Sequence, residues 1–299
     1  MDIYRAASRL DLRLCQRAKS RYSRRKHLLN IDHVRLKNCD IRVHIAGRGP
    51  TLVMLPDPPN TIEHHQQLIA ELEHGFRVVC FEFPGFGFSY PKPGMQYTLA
   101  GLTQVFHELF TVLDITNASM AISCLGAYVG INYAIQYPAE IRSLILIQVA
   151  DLQQAIRWSY KADVFGLIRM PFLGQLLTQS AQMQIARQWY QSALGLPSTD
   201  ITCRNYTGIS LESIDSGTCF CLASAYQMLQ NRTEIDWDML KQPVLIVWGA
   251  KDKTHSETEP RAITSLISDN TFVQFDNSAH FPNLEEVERF SKLAREWIY

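Results

Sequence analysis

Six short segments of this chain, at 51–55, 77–81, 119–123, 143–149, 243–248 and 271–275, are rich in β-branched and other apolar residues and do not alternate with polar ones. A strand with one face in water alternates. A strand that does not alternate belongs in a sheet covered on both faces, which is the situation of parallel strands. Helical patterns at 61–74, 99–114, 125–137 and 283–298 lie between and after these runs. Parallel neighbours need a crossover, which is right-handed, so the alternation predicts an α/β architecture with a mostly parallel sheet flanked by helices. Before it, period-two patterning around a turn at Asn38-Cys39-Asp40, with Ile41, Val43 and Ile45 on one side, predicts an antiparallel hairpin.

The alternation stops between 152 and 235. Trp158, Tyr160, Phe165, Phe172, Trp189 and Tyr190 sit there in helical stretches with no buried strand, which predicts a helical cap inserted between two strands. The expected organisation is an N-terminal helix over 1–30, a core formed by 31–151 and 236–299, and the cap at 152–235. With 46% apolar and 19% charged residues in 299, the chain can bury a core of that size.

Charge is balanced at 29 basic and 29 acidic residues, which excludes a global field for nucleic acid. It is unevenly placed. Residues 1–30 hold nine Lys/Arg and two Asp, with Arg5, Arg9, Arg13 and Arg17 along one helical face and Ile3, Ala7, Leu10, Leu14 and Ala18 along another. This basic amphipathic helix either packs one stripe on the body, or docks an acidic partner, meets a membrane surface or acts as a transit peptide. Seven scattered cysteines without a CxxC or a Cys/His cluster suggest a reducing compartment and no metal or other cofactor. No run of 18 apolar residues predicts a transmembrane segment, and the expected location is cytoplasmic.

The segment Ile122-Ser123-Cys124-Leu125-Gly126-Ala127 leads a strand straight into a helix. It resembles the nucleophile elbow of the α/β-hydrolase superfamily, G-x-S-x-G, with Cys124 in the serine's place and Ile122 in that of the first glycine. Phe81-Glu-Phe-Pro-Gly-Phe-Gly-Phe-Ser89 is similar to the superfamily's D-x-P-G-x-G-x-S loop. Trp248-Gly-Ala-Lys-Asp252 looks like its G-x-x-D, and Asp276-Asn-Ser-Ala-His-Phe-Pro282 like its histidine loop. The resemblance implies an α/β-hydrolase fold with Cys124 as nucleophile and His280 as its base. Asp252 or Asp151, which follows the strand at 143–149, would be the carboxylate that orients the imidazole.

Where the superfamily reads H-G-x and takes an oxyanion donor from x, this chain reads Pro56-Asp57-Pro58. Pro58 has no N–H. Leu125 N–H is then the sole clear donor, a loss of roughly 3 kcal/mol in comparable sites unless the register slips toward Asp57 or Asn60. A thiol with a weakened oxyanion hole suits a thioester better than an amide. The expectation is an acyl-transfer enzyme that loads an apolar acyl group on Cys124 from a thioester, brought by an acidic acyl carrier protein, and releases it by hydrolysis or by cyclisation. The cysteine-using Dieckmann cyclases of tetramate and pyridone biosynthesis are similar in the order of their Cys, Asp and His. An ordinary ester hydrolase and a non-catalytic α/β-hydrolase-like binding protein are the alternatives.

Overall fold

A computed structural model describes residues 2–22, 31–163 and 165–299. The strands are β1 (His33–Arg35), β2 (Cys39–Ala46), β3 (Thr51–Met54), β4 (Arg77–Phe81), β5 (Phe86–Gly87), β6 (Tyr90–Pro91), β7 (Ala118–Ser123), β8 (Ile141–Ile147), β9 (Cys219–Phe220), β10 (Val244–Gly249) and β11 (Asn270–Phe275). The helices are α1 (Ile3–Tyr22), α2 (Gln66–Leu72), α3 (Leu99–Val112), α4 (Cys124–Gln136), α5 (Leu152–Ala162), α6 (Leu173–Ser180), α7 (Gln182–Leu194), α8 (Ile201–Ser216), α9 (Leu222–Arg232), α10 (Pro282–Glu285) and α11 (Val287–Ile298).

The main sheet runs β1-β2-β4-β3-β7-β8-β10-β11, with the short β6 also paired to β2. From β4 to β11 every pairing is parallel, and β1 and β2 are antiparallel additions. Alternate residues of one strand enter different cores. Val53, Val79 and Phe81 pack with α3 and α4 residues such as Phe106, Leu109 and Ile131, whereas Leu52, Val78 and Cys80 pack with Leu68 and Leu72 of α2 and Phe290 of α11. Both faces are therefore apolar, as the non-alternating runs require. At the edge the rule relaxes: β11 leaves Thr271 and Gln274 exposed.

The hairpin differs from expectation. Leu36 N–H bonds the Cys39 carbonyl at 2.9 Å, so the turn lies one to two residues earlier and Cys39 and Asp40 already belong to β2. Ile45 is 45% exposed, while Arg42 is fully buried. Its guanidinium holds Glu63 at 2.5 and 3.0 Å and Glu82 at 2.9 Å. Glu82 also accepts the N–H groups of Ile62 and Phe88, and a Cβ on Gly87 (φ +53) would stand 2.5 Å from its oxygen. This buried cluster pins the loop after β3 to the loop after β4.

Helices α5 to α9 lie between β8 and β10, together with one element the pattern did not show: β9 pairs antiparallel with β5. A two-residue strand is too short to show a period. In α1 the four arginines are exposed, but the packed stripe is Ala7, Ser8, Asp11, Leu12, Cys15 and Ala18; Ile3 is 55% exposed and Leu10 and Leu14 only half-buried. Small residues let α1 lie close on β6 and β9, which turns the helix away from its most apolar stripe. Residues 23–30 of the predicted N-terminal helix lie outside the described residues.

Candidate active site

Strand β7 ends at Ser123 with extended backbone, Cys124 turns to φ +47, and α4 begins at once. Left-handed backbone at a non-glycine costs about 1–3 kcal/mol and places the thiol at the positive end of the helix. The missing first glycine has a steric compensation. Ile122 is fully buried, and a Cβ on Gly130 would come within 2.4 Å of its Cδ1, so glycine on α4 provides the room that glycine on the strand would have left.

His280 follows β11 and donates Nδ1 to Asp252 Oδ2 at 2.6 Å. Asp252 sits past the end of β10. Its Oδ1 accepts Thr254 N–H at 2.8 Å, and its Oδ2 accepts the amide of Gln148 at 2.9 Å. Gln148, at φ +53 beyond β8, also accepts Gly249 N–H and so locks the two strand ends together. Asp151 is elsewhere employed: its Oδ1 accepts Gln154 N–H at 3.0 Å and caps α5. Of the two expected acids, the structure brings Asp252 to the histidine and not Asp151.

The carboxylate that sequence reasoning missed is Asp57. It is buried, and its Oδ2 lies 3.1 Å from His280 Nε2, the nitrogen that faces the thiol. Asp57 entered the sequence reading only as a backbone donor; no local pattern announces that its side chain meets a residue 223 positions away. The other suggested donor, Asn60, has its N–H committed to the Asp57 carbonyl at 2.9 Å. Pro58 lines the site beside Leu125 and supplies no N–H.

Burial disfavours a charged imidazole, but Asp252 and Asp57 outweigh it and hold His280 well above its ordinary value. Asp252 itself is brought down to about 2 by His280, against the effect of burial. Burial and then the Asp57 charge push the Cys124 thiol up to about 11, although His280 and Leu125 N–H pull the other way. His255, stacked on His280 at 5.6 Å, is lowered to about 4 by burial and by its charged neighbour.

Cys124 opens on a chamber of about 70 Å³ lined by Phe86, Trp158, Ile185, Trp189, Phe220, Leu222 and Tyr226, with Asp57 and Pro58 at its floor. Trp158, Trp189 and Tyr226 also line an outer cavity of about 800 Å³ that carries Lys161 and Lys253. The cap thus closes an apolar vestibule over the thiol. Among the described residues no helix is long and apolar enough to cross a membrane.

The family profile described as alpha/beta hydrolase fold matches residues 52–287, and the chain belongs to that family. An uncharacterized protein of Mycobacterium tuberculosis is 24% identical over 85% of this chain and 76% of its own length. An uncharacterized hydrolase of Saccharomyces cerevisiae is 23% identical over 79% of this chain and 84% of its own. Among solved structures, an esterase from Exiguobacterium antarcticum superimposes with a TM-score of 0.71 at 20% identity, covering 89% of this chain and 97% of that one, which shows the shared fold.

Proposed function

We propose that this α/β-hydrolase is a hydrolase-type acyl-transfer enzyme in which Cys124 takes a small apolar acyl group from a thioester. The observation that carries the reading is the elbow thiol set against a histidine whose far nitrogen is held by Asp252, at the floor of an apolar chamber. The names of the relatives, a hydrolase and an esterase, agree with the reaction class.

With its thiol near 11, Cys124 rests protonated, so the reaction begins by moving that proton. His280, hydrogen-bonded to both the thiol and Asp57, passes its Nε2 proton to Asp57 and takes the thiol's, and the imidazolium between the two carboxylates compensates the thiolate. The sulfur attacks the thioester carbonyl, and Leu125 N–H meets the oxyanion. Collapse breaks the substrate's carbon–sulfur bond, and the departing thiolate recovers the proton from Asp57. This exchange has sulfur on both sides and is nearly balanced, so it tolerates the donor missing at Pro58. Water then attacks the acyl-cysteine and releases the acid. The chamber of about 70 Å³ at the thiol suits a small acyl group, for which hydrolysis is the simpler release. Lys253 suits the anionic tail of a thioester carrier, and the exposed arginines of α1 suit an acidic carrier protein.

A second reading, a ligand-binding protein without turnover, draws support from the Asp57 carboxylate beside the oxyanion position and from Pro58. Incubation with acyl thioesters followed by mass spectrometry of peptides separates the two. An acyl adduct on Cys124 with release of free acid supports the enzyme, and a ring product supports cyclisation. Tight reversible binding without adduct supports the binding protein and overturns the enzyme reading.

A further inference from the structure

We propose that Asp57, Cys124 and His280 form a three-ligand site for a divalent transition-metal ion of the zinc type, backed by Asp252. One carboxylate oxygen, the thiol sulfur and a ring nitrogen from these residues all lie within 4.8 Å of one another. Asp57 Oδ2 and His280 Nε2 are 3.1 Å apart, close to the roughly 3.3 Å that separates two ligands of a tetrahedral ion at bond lengths of about 2.0 Å. Sulfur, imidazole and carboxylate are the donors that zinc and cobalt accept together, and a thiolate with a carboxylate balances the charge of a divalent ion.

The surroundings match those of a metal histidine. Nδ1 is held by a carboxylate at 2.6 Å, and that carboxylate is itself held by Thr254 N–H and the Gln148 amide, an outer shell that fixes the tautomer and ring plane. Asp57 stands on a loop tied down by the buried Arg42–Glu63–Glu82 cluster, whose Glu82 accepts Ile62 N–H, and Cys124 is fixed by the elbow. The fourth position opens on the apolar chamber, which leaves room for water or a small ligand, as in catalytic rather than structural sites. A proline in the oxyanion loop costs a cysteine triad a donor, whereas a metal site is indifferent to it and makes the carboxylate beside Nε2 a ligand.

The inference uses the positions of three ligand atoms and does not depend on acyl transfer. The ion would occupy the sulfur and the Nε2 that acyl transfer needs, so the two states exclude each other. The test titrates full-length, chelator-treated, reduced protein with Co²⁺. The expected result is a thiolate-to-cobalt charge-transfer band with the visible bands of a four-coordinate ion, saturating at one equivalent and abolished by Zn²⁺. Cys124→Ser removes the charge-transfer band, and Asp252→Asn, which keeps all three ligands, weakens binding about 10–100-fold. X-ray absorption on the wild-type zinc form should show one sulfur neighbour, which keeps the test independent of how the variants fold. No one-equivalent band, no sulfur neighbour, or a band that survives Cys124→Ser and so belongs to Cys15, Cys219 or Cys221, overturns the proposal. Acyl labelling of metal-free protein reads the acyl-transfer reading separately.

Discussion

Asp57 closes on His280 from the side opposite Asp252: the two carboxylates take the two ring nitrogens at 3.1 and 2.6 Å, and the imidazole is buried between them. Even with a protonated ring, the three groups carry a formal net charge of −1. That charge lies beside the Cys124 thiol and opposes its ionisation.

Removing the nearer negative charge should therefore free the thiol. At a value near 11, about 0.1% of Cys124 is thiolate at pH 8. Asp57→Asn is expected to speed labelling of Cys124 by iodoacetamide at pH 8 by about tenfold or more, measured by peptide mass spectrometry. An unchanged rate would show that Asp57 does not control the thiol.

The two candidate acids have different jobs and should fail differently. Asp252→Asn removes the carboxylate that orients His280 and stabilises its charged form, and should cost roughly 10³–10⁴ in kcat with little change in substrate binding. Asp151→Asn should leave turnover intact, because asparagine still caps α5. Comparable losses in both would remove the distinction.

Replacing Pro58 restores an amide at the position where family members carry an oxyanion donor. Pro58→Ala should raise the rate on an unactivated ester by up to roughly 10²-fold while changing a thioester less. No gain on the ester would mean that this amide does not face the tetrahedral oxygen.

Ile122 and Gly130 occupy one volume. Gly130→Ala alone drives a methyl into Ile122 and should destabilise the protein by about 1–3 kcal/mol in urea unfolding. In an Ile122→Ala background, which removes the Cδ1 that the methyl would meet, the same substitution should cost less. Additive destabilisation in the double variant would argue against the steric exchange.

Asp11 of α1 is fully buried, accepts the Ser224 hydroxyl at 2.6 Å, and is raised by burial from 3.8 to about 7. Between these two values the folded protein holds a proton that the unfolded chain has released, so stability falls as pH rises through the window and stays lower above it. Asp11→Asn should therefore gain in Tm relative to wild type between pH 5 and pH 8, with a swing of about 2–4 kcal/mol. A difference in Tm that is independent of pH would show that Asp11 does not titrate on unfolding.

Much of the scaffold was legible in the chain because it follows from local chemistry. Non-alternating apolar runs such as 77–81 can lie only between two helical layers, and the strand-to-helix junction at Cys124, the Asp252 turn and the His280 loop each carry their pattern within a few neighbouring residues. What local pattern could not decide was which side chains meet. Asp151 and Asp252 both follow core strands, and the positions of the two strand ends, coupled through Gln148, chose between them. Arg42 stands among the polar residues that alternate with Ile41, Val43 and Ile45, yet two glutamates from separate loops make its burial possible. Asp57 read as part of a broken oxyanion loop, and its carboxylate became the second partner of His280 only because the loop after β3 and the loop after β11 converge over one elbow. The sequence by itself determined the layers and the elbow, since periodicity and turn chemistry act over short separations. Tertiary structure decided the charge pattern at the thiol, since electrostatics acts through space between residues far apart along the chain.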